Sequence, residues 1–184
     1  MSLAGRRLLG ALAPWLLAGG AWAQPAKCTL GLDQSPAVRG FQLGMTKEQA
    51  VTAFGEPPGT YVRNERDDTA VMSVAEFQFP EKLKKVTSIA MNLFDNRIHQ
   101  MTVSYGSGAF ESLAQAQEFF AREWKLPAAA WGKVQYGDTW LYCKDWVVTL
   151  RLLGGRPQVE LGIIGLQDKI KARAKQKAGA GVKP

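Results

Sequence analysis

Val86-Thr87-Ser88-Ile89-Ala90-Met91-Asn92-Leu93-Phe94, then Asp95-Asn96, then Arg97-Ile98-His99-Gln100-Met101-Thr102-Val103-Ser104-Tyr105 is the stretch that decides the fold. Ile89, Met91 and Leu93 alternate with Ala90, Asn92 and Phe94, the two-residue period of a strand with two distinct faces. Asp95-Asn96 is a two-residue connection of side chains that tolerate positive φ. Beyond it, His99, Met101, Val103 and Tyr105 share one face. The pattern predicts an antiparallel hairpin over 86–105, and with it a sheet built from sequential hairpins.

The flanks extend that reading. Downstream, strands are expected over Thr139–Cys143, Trp146–Leu153 and Gln158–Ile164, separated by turns at Lys144-Asp145 and Gly154-Gly155-Arg156-Pro157. Upstream, Ala70 to Phe79 reads as a less regular strand with Val74, Phe77 and Phe79 as its apolar points, and Pro80 to Lys85 as a charged connection. Two helices stand out. Thr46 is an N-cap with Gln49 at the capping-box position, Ala50, Val51 and Phe54 share a face, and Gly55 ends the helix. Ser112, with Gln115 in the same relation, opens a second helix, whose Leu113, Ala116, Phe120 and Trp124 form a stripe. Helices in two blocks among consecutive strands predict an α+β fold: an antiparallel sheet with two short helices packed on one face. The order of elements suits a duplicated helix-plus-strands unit.

The two ends differ from the body. Arg6 and Arg7 precede an apolar run from Leu8 to Ala21 that closes on Ala21-Trp22-Ala23, the small-x-small pattern of a secretory signal peptide. That run is shorter than the roughly 20 residues a membrane span needs, and no later segment is apolar enough to be one. Residues 1–23 are therefore expected to be removed, leaving a single domain over 24–167 and a basic tail over 168–184. The formal charge of +7 belongs to the ends: residues 24–167 hold 15 basic and 15 acidic side chains. A neutral body gives no field to attract nucleic acid. The tail, rich in Lys and Arg with one large apolar residue, Ile170, is expected to fray and could touch anionic surfaces.

Cys28 and Cys143 are the only cysteines. In an exported chain two cysteines pair, and a disulfide is expected here. Lys27 spoils the box that a lipid-anchored cysteine would need. No catalytic, cofactor or metal constellation emerges. His99 is the sole histidine and sits in mid-strand, so it reads as structural, and one His with two bridged Cys cannot make a zinc site. Glu65, Asp67 and Asp68, interleaved with Arg63 and Arg66, read as a solvated loop, as do Lys82, Lys84 and Lys85. Gly106-Ser107-Gly108 lies between strand and helix, but Glu111 stands where a dinucleotide fingerprint needs its third glycine. The aromatics of the second half are more informative. Trp140 and Tyr142 share a strand face, and with Trp131 and Tyr136 they form a candidate partner-binding surface.

Phe41-Gln42-Leu43-Gly44-Met45-Thr46-Lys47-Glu48-Gln49-Ala50, followed by Phe54-Gly55-Glu56-Pro57, resembles the entry of the small outer-membrane assembly lipoproteins of the SmpA/OmlA (BamE-like) family, and is similar to repeats of the β-lactamase-inhibitor-protein-like fold. The resemblance implies a capped helix on an antiparallel sheet and a protein that works by binding other proteins. It carries over no active-site residue, because Thr46 and Gly55 are structural, and the chain lacks the lipoproteins' acylated first cysteine. The expectation is a periplasmic or secreted, non-enzymatic protein that binds an envelope partner and needs no cofactor. The alternatives are an enzyme or accessory protein acting on envelope polymers, and a small-ligand carrier.

Overall fold

A computed structural model describes residues 27–65, 67–133, 137–153 and 155–180. The expected leader, with its cleavage point before Gln24, lies outside the described residues. In chain order the elements are α1 (Lys47–Phe54), β1 (Thr60–Asn64), β2 (Thr69–Ala75), α2 (Pro80–Leu83), β3 (Val86–Phe94), β4 (Arg97–Tyr105), α3 (Leu113–Glu123), β5 (Gly132–Lys133), β6 (Thr139–Tyr142), β7 (Trp146–Leu153), β8 (Arg156–Ile163) and α4 (Leu166–Ala180). The strands form one eight-stranded sheet in the order β1-β2-β3-β4-β8-β7-β6-β5. Every neighbouring pair is antiparallel.

The sheet is two four-stranded meanders, each preceded by a helix and joined back to back where β4 pairs with β8. This is the α+β plan expected from the element order, with the helix-plus-strands unit present twice. One face is the core. Met72, Ile89, Met91, Leu93, Met101 and Val103 from the first unit merge with Leu141, Trp146, Val148, Leu150, Val159 and Leu161 from the second. Ala50 and Phe54 of α1 and Ala116 and Phe120 of α3 close the same cluster, so both helices lie on one side of the sheet. The capping logic holds: Thr46 Oγ1 accepts from Gln49 N and Gln49 Oε1 accepts from Thr46 N. Gly55 then ends α1 at φ 80°, in the left-handed region where glycine costs least.

The segment before α1 locks the two units together. Cys28 and Cys143 are disulfide-bonded across 115 residues. Trp146 Nε1 donates to Gly31 O, and Leu32 N to Asp145 Oδ2. The chain then runs through Val38, Phe41 and Leu43, all buried in the shared core. Near its other end, α4 lies against the β1–β2 and β3–β4 turns. Arg173 meets Asp68 at 3.0 Å and Asp95 at 3.6 Å, and Lys177 meets Asp68 at 2.6 Å. Beneath Arg173 lies the Phe94 ring, which is buried but belongs to the sheet's other face. The basic segment is thus helical over Leu166–Ala180, and two of its cations are paired with the first unit.

The structure departs from the sequence reading at four places. The strand expected to reach Phe79 ends at Ala75, because the N–H groups of Gln78 and Phe79 turn back to Ala75 O. Phe79 then packs on Phe54 with ring centroids 5.1 Å apart, while Phe77 is left 86% exposed. Pro80–Leu83 closes into a helical turn rather than a plain connection. In the decisive hairpin, Asp95 and Asn96 take φ 46° and 61° as a two-residue turn requires, but the register slips beside it. Leu93 pairs with Ile98 and Asn92 with Gln100, so His99 is the extra residue of a β-bulge. Ile98 and His99 therefore both lie opposite Leu93, and Ile98 joins Met101 and Val103 in the apolar core beside the buried His99. Finally, β1 has no counterpart in the sequence reading: all five of its residues are exposed at the sheet edge.

Phe120 is fully buried where α3 meets the sheet. Phe120→Ala is expected to destabilise the fold by about 3–5 kcal/mol in urea unfolding, with an unchanged denaturant slope.

Candidate functional site

Alternation along β6 sends Thr139 and Leu141 inward and Trp140 and Tyr142 outward. Thr139 Oγ1 donates to Gly132 O at 2.6 Å and Leu141 is buried. On the opposite face the Trp140 and Tyr142 rings meet edge to face, with centroids 6.3 Å apart and planes at 76°. The absence of a side chain at Gly132 lets this happen: a Cβ there would stand 3.1 Å from Trp140 Nε1. Tyr142 is 58% exposed, and Val147, its cross-strand partner, is half-buried. Of the two other aromatics grouped with them in the sequence, Trp131 packs against the core and its Nε1 is buried without a hydrogen-bond partner. Tyr136 lies outside the described residues.

The middle of this outward face is polar and internally paired. Asn92 Nδ2 donates to Gln100 Oε1 at 2.9 Å, and Gln100 Nε2 donates to Glu160 Oε1 at 2.7 Å. Glu160 meets Arg151 at 3.6 Å, and Arg151 meets Asp138 at 3.8 Å. The chain of contacts crosses β3, β4, β8 and β7. Apolar contact area is thereby confined to the margins, at Trp140, Tyr142 and Val147 on one side, at Val62 and Val71 on the other, and at Leu153 where β7 ends.

The titratable candidates take structural roles. His99 is 5% exposed, and burial alone holds its imidazole below the ordinary value of 6.5. Asp67 Oδ1 accepts from both Thr69 N and Thr69 Oγ1, building the β1–β2 turn. Asp68 receives Lys177 and Arg173, and the Lys177 hydrogen bond is the main reason its carboxyl lies below the usual carboxylate range. Lys177 also donates to Glu65 O. Arg66 lies outside the described residues. Lys82 bridges Glu56 and Phe54 O, and Lys84 pairs with Glu81. Among the described residues no group of three His, Cys, Asp or Glu side chains could hold a metal ion.

One concavity was not anticipated. A groove of about 590 Å³ lies between the Val38-Arg39 segment, the α2–β3 corner, the end of β4 and α3. Its lining includes Tyr105, Phe110, Phe119, Phe120 and Trp124, whose neighbouring ring centroids are 4.6–5.7 Å apart. Burial pushes the Tyr105 hydroxyl up to about 12, with Arg39 pulling it down and Glu123 pushing it up. The sequence signal that could have found it is Phe119 beside Phe120, with Phe110 just upstream. A helix presents adjacent residues about 100° apart, so one of the pair had to leave the core stripe.

No family model, curated protein or solved structure matches the chain. No helix among the described residues is long and apolar enough to cross a membrane.

The buried His99 sets a pH dependence. Above its ordinary value of 6.5 both folded and unfolded chains hold it neutral. Below that value the unfolded chain binds a proton that the folded chain refuses, so stability falls with pH until the folded value is reached and then levels off. Urea midpoints measured from pH 8 to pH 5 should show this decline, and His99→Gln should flatten that part of the profile.

Proposed function

We propose that the protein is an exported, non-enzymatic component of the cell envelope that holds a protein partner on the outward sheet face beside Trp140 and Tyr142. The observation that carries this reading is the Trp140–Tyr142 pair. Two large amphipathic aromatics stand together on the face opposite the core, with Tyr142 more than half exposed. Tyr and Trp are the side chains that most often anchor interfaces, since they bring large area and a polar handle at little entropic cost. Phe77, at 86% exposure, adds a third aromatic outside the core.

Export is supported by the signal-like leader over 1–23 and agrees with the Cys28–Cys143 bridge, which persists in oxidising compartments. The periplasm is the compartment that fits the BamE-like opening of residues 41–57, which also favours a protein partner over a substrate. Lys169, Lys171 and Lys175 of α4 are exposed and carry no ion pair among the described residues, so that helix suits contact with anionic surfaces. Nucleic acid is not a partner in this reading, and no cofactor is required.

Capture from envelope extract tests the proposal. The wild-type protein should retain a defined partner, and Trp140→Ala with Tyr142→Ala should reduce retention by about tenfold or more while leaving the circular dichroism and the bridge intact. Retention of nothing above bare resin, or equal retention by the double variant, would contradict it.

A further inference from the structure

The groove beside α3 supports an inference separate from the sheet-face proposal. We propose that it is a binding site for a small aromatic carboxylate, whose ring lies on Phe110, Phe119 and Trp124 and whose anionic group faces Tyr105, Lys85 and Arg122.

Three observations converge. The first is shape and chemistry. A groove of about 590 Å³ is within the usual range for small-molecule sites, and its lining is rich in aromatic side chains with a few charged groups, as such sites ordinarily are. Phe110 contacts Tyr105, Phe119 and Phe120 in tilted or edge-on geometry, and Phe110, Phe119 and Trp124 remain half-buried. A planar guest would add further edge-to-face contacts of the same kind.

The second is charge. Arg39, Lys84 and Lys85 line one wall, facing α3 with its Arg122, Glu118 and Glu123. Arg39 is committed to Lys84 O at 2.6 Å, and Lys84 to Glu81 at 2.9 Å. Lys85 and Arg122 make no ion pair among the described residues, and neither do Glu118 and Glu123; with Arg39 and Lys84 the lining holds four cations against two carboxylates, which favours an incoming anion. The Tyr105 hydroxyl has no hydrogen-bond partner among the described residues and is a protonated donor at neutral pH, as any tyrosine hydroxyl is. A carboxylate accepts from Lys85, Arg122 and Tyr105.

The third is backbone. Arg39 at φ 53° and Lys85 at φ 69° are both in the left-handed region. Turn positions of this kind are ordinarily filled by glycine or asparagine, because a longer side chain costs about 1 kcal/mol there. Two of the six non-glycine residues with positive φ among the described residues are thus cations lining this one groove. Backbone strain that places charge at a concave site is the pattern found where ligands are held.

Isothermal titration of the folded protein with 1-naphthoate and with its neutral isostere 1-naphthamide tests the assignment. Naphthoate should bind about tenfold or more tightly than naphthamide, as expected for charge-assisted hydrogen bonds. Lys85→Gln with Arg122→Gln should erase that preference, and Tyr105→Phe should weaken both probes, since carboxylate and amide oxygens both accept from the hydroxyl. Phe119→Ala should weaken both probes, and Tyr142→Ala should change neither, which separates this site from the sheet face. Equal affinity for the two probes, absence of heat with either at millimolar concentration, or loss of binding in Tyr142→Ala would overturn the proposal.

Discussion

Gln100–Ser104 of β4 and Gln158–Gly162 of β8 run antiparallel at the centre of the sheet, and among the described residues theirs is the only strand pairing between the two helix-plus-four-strand units. Met101 faces Leu161 and Val103 faces Val159 across this seam, all fully buried. A four-stranded meander with one helix offers a thin core by itself. Two of them joined edge to edge remove two exposed strand edges and merge their inner faces into one apolar layer. The Cys28–Cys143 bridge and the Trp146–Gly31 hydrogen bond reinforce the joint, because they fasten the segment entering the first unit to the far side of the second.

This arrangement decides which side chains are left over. The two helices cover one face of the sheet, so the opposite face must be made compatible with water. At its centre that is done by side-chain pairing, from Asn92 through Gln100 and Glu160 to Arg151 and Asp138. The hydrogen bonds of Asn92, Gln100 and Glu160 satisfy polar groups that would be costly to strip of water, while Arg151 is held by charge alone, its buried Nε without a hydrogen-bond partner; the polar chain makes the centre a poor place for apolar docking. The margins follow a different rule. Trp140 and Tyr142 gain nothing for the core by their position, and Gly132 yields the space in which the indole lies. The aromatic groove at α3 is a second remainder, formed because Phe119 cannot share the inward direction of Phe120.

The sequence carried the parts of this fold that depend on local pattern. Regular alternation in 86–105, the capping box at Thr46, the N-cap at Ser112 and the count of two cysteines each had one simple physical solution; at Ser112 the Gln115 side chain reaches back to Glu111 N and leaves the box open. What it did not carry depends on long-range contact. β1 is an edge strand wet on both faces, so Tyr61-Val62-Arg63 shows no alternation to read. The bulge at His99 arises from reconciling a two-residue turn with the burial of Leu93 against Ile98, a choice invisible in either strand alone. Phe77 looked like a strand residue because its hydrophobicity matched, whereas the chain had already turned at Ala75. Trp131 and Trp140 are close in sequence, yet they serve opposite faces of the sheet. The groove draws on five segments from Ala37 to Trp124, and no short window of sequence contains it.

The central claim is that the β4–β8 seam makes one cooperative body of two similar units. All four tryptophans after residue 23, Trp124, Trp131, Trp140 and Trp146, lie in the second unit, whereas helix and strand are spread over both. Equilibrium urea unfolding followed at once by tryptophan fluorescence and far-ultraviolet circular dichroism is therefore the most direct measurement. The account predicts superimposable transitions with a common midpoint. A fluorescence transition displaced from the dichroism transition would mean that the units unfold separately, and would contradict it.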